Sequence, residues 1–265
     1  MKRVVLLAFS LLFIVAMKSQ VVVDSQTDSV TYPNKYHSPC YKFSAKKLVL
    51  PSALILYGAT GLFSNQWTKT NRTIQERVVN DWNNPYKENT IDNVLAFVPA
   101  ISVYGLNLCG VEGMHNFRDR TVILGVSGVI TLVAVEGLKM ATHNLRPDGS
   151  TYDSWPSGHT ALAFAGAEFM YQEFREKSVW YGVSAYAVAT SVAALRVYNN
   201  RHWFTDVAAG AGFGILGTKI SYWLFPLVAD KLLTNKPLER SLSARCFLTP
   251  SIIQNRIGFE LLVTL

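Results

Sequence analysis

Six stretches of this chain carry almost no charge, and each is long enough to constrain the fold. Residues 48–68, 93–111, 121–135 and 178–195 have no ionised side chain. Residues 155–171 hold only His159 and Glu168 besides the terminal Tyr, and 207–229 are interrupted only by Lys219. A helix of about 20 residues, rising 1.5 Å per residue, crosses the hydrocarbon core of a bilayer. Six such runs in succession, with few amphipathic stripes, predict a membrane-embedded bundle over a soluble helical protein. Charged residues are 16% of the chain, well below the roughly 25% of soluble domains. That excludes a disordered chain and an ordinary cytosolic enzyme. Trp67, Trp155, Trp180, Trp203 and Trp223 fall near run ends, as an aromatic belt would place them. The expected fold is all-α, a multi-span transmembrane helical bundle of about six spans.

The remaining segments frame this core. Lys2 and Arg3 precede an apolar run over 4–16, the length of a signal-peptide core, with Ala16 or Ser19 as cleavage positions. Residues 1–20 are therefore read as a signal peptide or N-terminal anchor, and 21–47, with Pro33 and Pro39, as a polar arm. Residues 48–229 are the membrane-embedded domain, and 230–265 a basic C-terminal tail with strand-like residues from 252 onward. Ile74, Val78 and Val79 stand at helical spacing before Trp82 and Pro85, which suggests a short helix in the interface. Cys40, Cys109 and Cys246 lack metal-site spacing and are read as unpaired thiols. The net charge of +7 comes from 25 Lys and Arg against 18 Asp and Glu. No basic stripe with interleaved aromatics exists, so nucleic acid is not expected as a partner. Basic loops at a bilayer, or a pocket for an anion, account for the charge.

Polar residues beside membrane spans are costly and therefore concentrate where function needs them. Here they form three clusters. The first runs from Lys139 to Arg146 and Pro147, two cations at one span end that can hold an anion, with Glu136 one turn before Lys139. The second is Pro156-Ser157-Gly158-His159, opening a span. Pro and Ser suit any helix start. A helix N-terminus also offers N–H groups and a positive dipole end to a phosphate, and Gly158 allows close approach. The third is Arg196, then Arg201-His202, then Asp206. His202 and Asp206 share a helix face, so the carboxylate can fix the ring tautomer and leave the other nitrogen as nucleophile or base. Alone, such a pair is more often than not structural or a metal fragment. Crossing two spans returns the chain to the same side, so all three clusters face that side and are able to form one pocket.

In order and spacing, Lys139-x6-Arg146-Pro147, then Pro156-Ser157-Gly158-His159, then Arg196-x5-His202-x3-Asp206 resembles the type 2 phosphatidic acid phosphatase family. That family shares its helical core with the vanadium haloperoxidases. The resemblance covers about 90–226. It implies His202 as a nucleophile forming a phosphohistidine, Asp206 as its orienting partner and His159 as the general acid. Lys139, Arg146, Arg196, Ser157 and Gly158 would hold the phosphate, with no metal and no cofactor. Leu195 stands where the family often has Ser before the third-motif Arg. His143 is outside the pattern and, like His37 and His115, is read as a surface residue. Arg201 adds a cation beside the nucleophile that suits a larger or doubly charged headgroup, and Asn199 and Asn200 shape the loop.

Positive-inside counting gives eight cations on the loops opposite the motifs and five on the motif side besides the motif cations, which favours an external site. A cleaved signal peptide followed by six crossings would place the site inside instead; 48–68, with Pro51, Gly58 and Gly61, is the run most easily removed from the count. The expectation is a bacterial inner-membrane protein with its site facing outward. Its partners are the bilayer and a phosphorylated lipid; oligomeric state is left open. Lipid A phosphate or undecaprenyl diphosphate fits that placement best, ahead of phosphatidylglycerol phosphate and phosphatidic acid. A vanadate-dependent haloperoxidase and a non-catalytic phospholipid-binding or transport protein remain as alternatives. A metal hydrolase is disfavoured because the surrounding cations repel a metal.

Overall fold

A computed structural model of the chain describes residues 44–81, 90–233, 245–253 and 256–264. The signal-like start, most of the polar arm, His37, Cys40, Trp82 and Pro85 lie outside the described residues. The chain forms two units, Met1–Pro226 and Leu227–Leu265.

In the first unit a single 3-10 turn, Ala45–Leu48, leads into α1 (Val49–Phe63), α2 (Asn65–Asp81), α3 (Ile91–Leu95) and α4 (Val98–Leu108). Then come α5 (Phe117–Thr142), α6 (Gly158–Phe174), α7 (Val179–Tyr198) and α8 (Phe204–Leu233), whose last residues pass into the second unit. Local chemistry sets the ends. Asn116 Oδ1 accepts the Asp119 N–H at 2.9 Å and caps α5, which ends where His143 turns left-handed at φ 44. Ser178 Oγ accepts the Trp180 N–H at 3.3 Å and caps α7. The uncharged run 48–68 breaks near Ser64, where the chain bends by 95° between Ala45–Phe63 and Thr68–Val78. The polar helix that follows begins earlier than expected, at Asn65, and its buried contacts are made by Asn71 and Gln75.

The long helices alternate in direction. Glu173 near the end of α6 meets His115 before α5, while Gly158 at its start meets Lys139 late in α5. Gly182 in α7 lies on Tyr171 of α6, and Gly58 in α1 lies on Ala209 of α8. The loops 143–157 and 199–203 therefore emerge at one end of this unit. Small residues bring α8 onto α6: a Cβ at Gly210 would sit 2.5 Å from the Ser157 carbonyl oxygen, and one at Gly214 would collide with the Ala161 carbonyl.

The core of this unit is apolar, with Val103, Ile123, Phe169, Met170 and Ile215 buried, but many polar side chains are buried beside it and several large apolar ones are exposed. Val129, Val133 and Met140 of α5, Leu56 of α1 and Ile101 of α4 are exposed. Buried Glu168 accepts from Lys219 Nζ at 2.6 Å and from Gln172 and Tyr186. Buried Glu173 accepts from Tyr222 at 2.7 Å and meets His115 Nδ1 at 2.8 Å. His115 is thus an interior residue and not a surface one, because Glu173 satisfies it. Trp155 is also interior, not part of a belt: its indole N–H donates to the Gly58 carbonyl at 3.2 Å. Pairing is what makes such charges tolerable away from water.

Among the described residues, Phe117–Thr142 and Phe204–Val228 are long and apolar enough to cross a membrane, and the bent pair at α1 and α2 makes a third if counted as one span. Of the other expected spans, α4 has only 11 residues and α6 carries Glu168 and Glu173. The second unit contains an antiparallel hairpin. Strand β1 (Arg245–Ile253) pairs with β2 (Arg256–Thr264), so strand structure begins before the 252 expected from composition.

Candidate active site

The loop between α5 and α6 is built by its own hydrogen bonds. Pro147 and Asp148 occupy the centre of a turn closed by the Gly149 N–H on the Arg146 carbonyl at 3.0 Å, with Gly149 at φ 72. The Arg146 N–H donates to the Thr151 carbonyl at 3.0 Å, and the Ser154 N–H to the Asn144 carbonyl at 2.9 Å. Asp153 then braces the Arg146 guanidinium at 2.8 Å. Burial pushes the Asp153 carboxyl up, but the Thr151 hydroxyl and Arg146 outweigh it and hold the group below the ordinary carboxylate value.

The α7–α8 loop is shaped as tightly. Asn200 adopts φ 58 and accepts from Gln75 Nε2 of α2 at 2.5 Å. The Arg196 carbonyl accepts the N–H groups of Arg201 at 3.1 Å and His202 at 3.3 Å. Asp148 links the two loops by accepting from Arg201 Nη1 at 3.1 Å.

His202 is buried with its Nδ1 at 2.8 Å from the Ser154 carbonyl oxygen. A carbonyl can only accept, so Nδ1 carries the proton and Nε2 holds the lone pair. This differs from the expectation in one respect. The Asp206 carboxylate stands 3.7 Å from Nδ1, beyond hydrogen-bond distance, and the main chain of Ser154 takes that place. Asp206 Oδ2 instead accepts from the Ser154 hydroxyl and from the Trp203 N–H at 3.0 Å. Asp206 therefore fixes the segment that fixes His202. Burial lowers the His202 pKa below the ordinary histidine value, against the upward pull of Asp206, so the ring is neutral at neutral pH.

At the other wall, α6 begins at Gly158 with Lys139 beside it: a Cβ there would lie 3.4 Å from Lys139 Nζ. Lys139 is held by Glu136 at 2.9 Å, the pairing the sequence suggested. The first-turn N–H groups of a helix have no partner within it, so the Gly158 end is a place for an anion. His159 follows on the same turn, within electrostatic reach of Arg196, Asp92, His202 and Lys139. Ser157 is placed differently. It is fully buried and its hydroxyl pairs with Thr160 Oγ1 at 3.0 Å.

Two residues were not anticipated. Ser154 acts through its carbonyl, which no side-chain pattern can reveal. Asp92, in α3, is buried and accepts from Arg196 Nη1 at 2.8 Å. Its signal was a single carboxylate at the border of the run 93–111. Arg146 Nε and Arg196 Nε are buried with no hydrogen-bond partner. Both arginines line a cavity of about 250 Å³ with Asp92, Asn93, Asn199 and Arg201. Among the described residues no group of three His, Cys, Asp or Glu side chains is disposed to hold a metal.

The model of the PAP2 superfamily matches residues 120–229, which contain all three motifs. A lipid A 1-phosphatase of Porphyromonas gingivalis is 37% identical over 139 residues, which are 52% of this chain and 31% of that protein. The chain thus spans about a third of that relative's length. The bacitracin transport permease protein BcrC of Bacillus licheniformis is 37% identical over 166 residues, 57% of this chain and 78% of the relative. Two solved structures are similar. The transmembrane PAP2-type phosphatidylglycerolphosphate phosphatase of Bacillus subtilis has a TM-score of 0.47 at 18% identity, covering 71% of this chain and 99% of that one. Aquifex aeolicus LpxE has a TM-score of 0.42 at 22% identity, covering 58% and 93%. With its three motifs inside the matched segment and a relative aligned over most of its length, the chain belongs to the PAP2 superfamily, the type 2 phosphatidic acid phosphatases.

Proposed function

We propose that this protein is a metal-independent lipid phosphatase that hydrolyses a phosphomonoester or diphosphate of an envelope lipid through a phosphohistidine. The observation that carries this is the tautomer of His202. Its Nδ1 proton is committed to the Ser154 carbonyl, so Nε2 is the atom left to attack phosphorus. Phosphoryl transfer asks a protein mainly for in-line positioning and charge stabilisation. Lys139 and the Gly158 end of α6 supply one side of that cradle. The guanidiniums of Arg146 and Arg196, which line the adjoining cavity, supply the other. His159 protonates the leaving oxygen and then takes a proton from the attacking water. Ser157 stands at the N-cap position and contributes through its main chain, since its hydroxyl is engaged with Thr160 and caps no N–H.

We take residues 48–229 as the catalytic domain, crossing the bacterial inner membrane about six times, with the site opening outward. Alternating helix directions and the outward apolar faces of α1, α4 and α5 support that arrangement. A lipid whose tails stay in hydrocarbon can then present its phosphate to the loops. Similarity to the lipid A 1-phosphatase of Porphyromonas gingivalis supports lipid A phosphate, and undecaprenyl diphosphate stands beside it.

The test is phosphate release by the purified full chain in detergent with chelator present. Lipid A, undecaprenyl diphosphate, phosphatidylglycerol phosphate and phosphatidic acid are offered side by side. Release from at least one lipid is expected, and its loss in His202→Ala. Full activity in that variant sinks the mechanism; no release by the unaltered chain favours a binding or transport role.

A further inference from the structure

The segment that carries His202 is short: only Asn199 to Trp203 separates Tyr198, the last residue of α7, from Phe204, the first of α8. The place of the His202 ring therefore follows from how the two helix ends are held. Part of that hold comes from a helix that bears none of the motifs. Helix α1 lies along α8: a Cβ at Gly212 would meet Ile55, one at Gly58 would meet Ala209, and one at Gly61 would meet the Thr205 side chain. Helix α1 thus ends beside the start of α8, and α2 sets off from there across the 95° bend.

Two amides of α2 reach the two sides of the His202 segment. Gln75 Nε2 donates to the Val197 carbonyl at 3.1 Å and to Asn200 Oδ1 at 2.5 Å. Val197 belongs to the last turn of α7, whose carbonyls find no donor within the helix. Asn200 holds the left-handed φ of 58 that turns the chain towards His202. Four residues earlier on α2, and so on the same face, Asn71 Nδ2 donates to Thr205 Oγ1 at 2.8 Å, in the first turn of α8. Asn71, Gln75, Asn200 and Thr205 are all buried, whereas Arg72, Thr73 and Arg77 on the same helix are exposed. Apolar side chains could have docked α2 without the cost of burying amides. What the amides add is direction, because a hydrogen bond fixes an angle and a distance that an apolar contact leaves open.

We propose that Gln75 and Asn71 are positioning residues: through them α2 holds the turn at Asn200 and the start of α8, and so sets where His202 Nε2 stands relative to the phosphate. This rests on the phosphatase reading above. Neither amide touches the substrate. The Ser154 carbonyl fixes the ring's tautomer, and α2 fixes the backbone that carries the ring. A displacement of about 1 Å at a reacting atom can cost on the order of a hundredfold in rate, so loss of either amide reads out in kcat. Lys139, Arg146 and Gly158, assigned to the phosphate, belong to other elements, so KM stays nearly unchanged.

The experiment follows phosphate release by the full chain in detergent on the four lipids named above. Both kcat and KM are taken on the one hydrolysed fastest and expressed per folded molecule. Gln75→Ala is expected to lower kcat about ten- to a hundredfold with KM within about threefold. Asn71→Ala, which leaves the Gln75 contacts in place, is expected to act in the same direction and repeats the test if the first variant folds poorly. Thr73→Ala, exposed on the same helix, is the control and leaves both constants unchanged. Asn200→Gly adopts the left-handed turn without help, so adding Gln75→Ala to it costs several-fold less than Gln75→Ala does alone. An unchanged kcat, a loss that lies wholly in KM, or full additivity of the two changes overturns the positioning role while leaving the phosphatase reading intact. So does a loss explained entirely by a smaller folded fraction. No release from any lipid by the unaltered chain overturns the phosphatase reading, and the positioning role with it.

Discussion

His202 shows how main chain and charge divide the work at one residue. The Ser154 carbonyl decides which nitrogen is bare, and burial decides that the ring stays neutral. The sign of the pH dependence follows. In the proposed mechanism the reactive form of His202 is the unprotonated one, and its pKa is lowered, so activity is expected to be retained as pH falls through the ordinary histidine value of about 6.5 and to be lost only below it. The acid limb of kcat/KM against pH is expected to have its midpoint below that value; a midpoint at or above it would contradict the buried, neutral ring. At this scale the sequence was informative where chemistry is carried by side chains in a fixed order. Lys139, Arg146, His159, Arg196, His202 and Asp206 were singled out as candidates by that order, and the fold brings them to one end of the first unit. It was silent on Ser154, because a carbonyl oxygen is the same in every residue. It was silent on Asp92 as well, because a lone acid bordering an apolar run has no spacing that ties it to a distant arginine.

Between α6 and α8 the fit depends on the absence of side chains. Gly210 and Gly214 are one turn apart and lie directly on the α6 backbone. Gly214→Ala places a methyl against the Ala161 carbonyl and is expected to cost about 1–3 kcal/mol, read as a fall in the thermal transition of the detergent-solubilised protein. Gly128→Ala is the control, since a Cβ there meets nothing. Because α6 carries His159 and α8 carries Asp206, the same change should lower activity along with stability. The uncharged runs revealed that these helices exist. They did not reveal the turn at Ser64, nor that α2 would dock beside His202 through Asn71, at 2.8 Å from Thr205 Oγ1, and Gln75. A polar helix with a few apolar residues reads as a surface element, and nothing local distinguishes a buried amide from a solvated one.

For the whole molecule, the alternation of helices separates Cys109, exposed after α4, from the loop carrying Ser150. With Cys40 and Cys246 changed to Ser, a membrane-impermeant maleimide applied to spheroplasts tests the proposed sidedness. Ser150→Cys, in a chain also lacking Cys109, should label at once, and Cys109 alone only after lysis. The reverse pattern would turn the site to the cytoplasm. Net hydropathy was enough to foresee a bundle whose outside is apolar. The paired interior charges were visible only as interruptions of the runs. One of those pairs bears on how the chain is made. Glu168 and Lys219 meet at 2.6 Å, yet they are separated by 51 residues of sequence. Before Lys219 is made, the acid has the Gln172 amide and the Tyr186 hydroxyl as hydrogen-bond partners but not this ion-pair partner. A chain truncated ahead of Lys219 would therefore carry the carboxylate without the cation that meets it here.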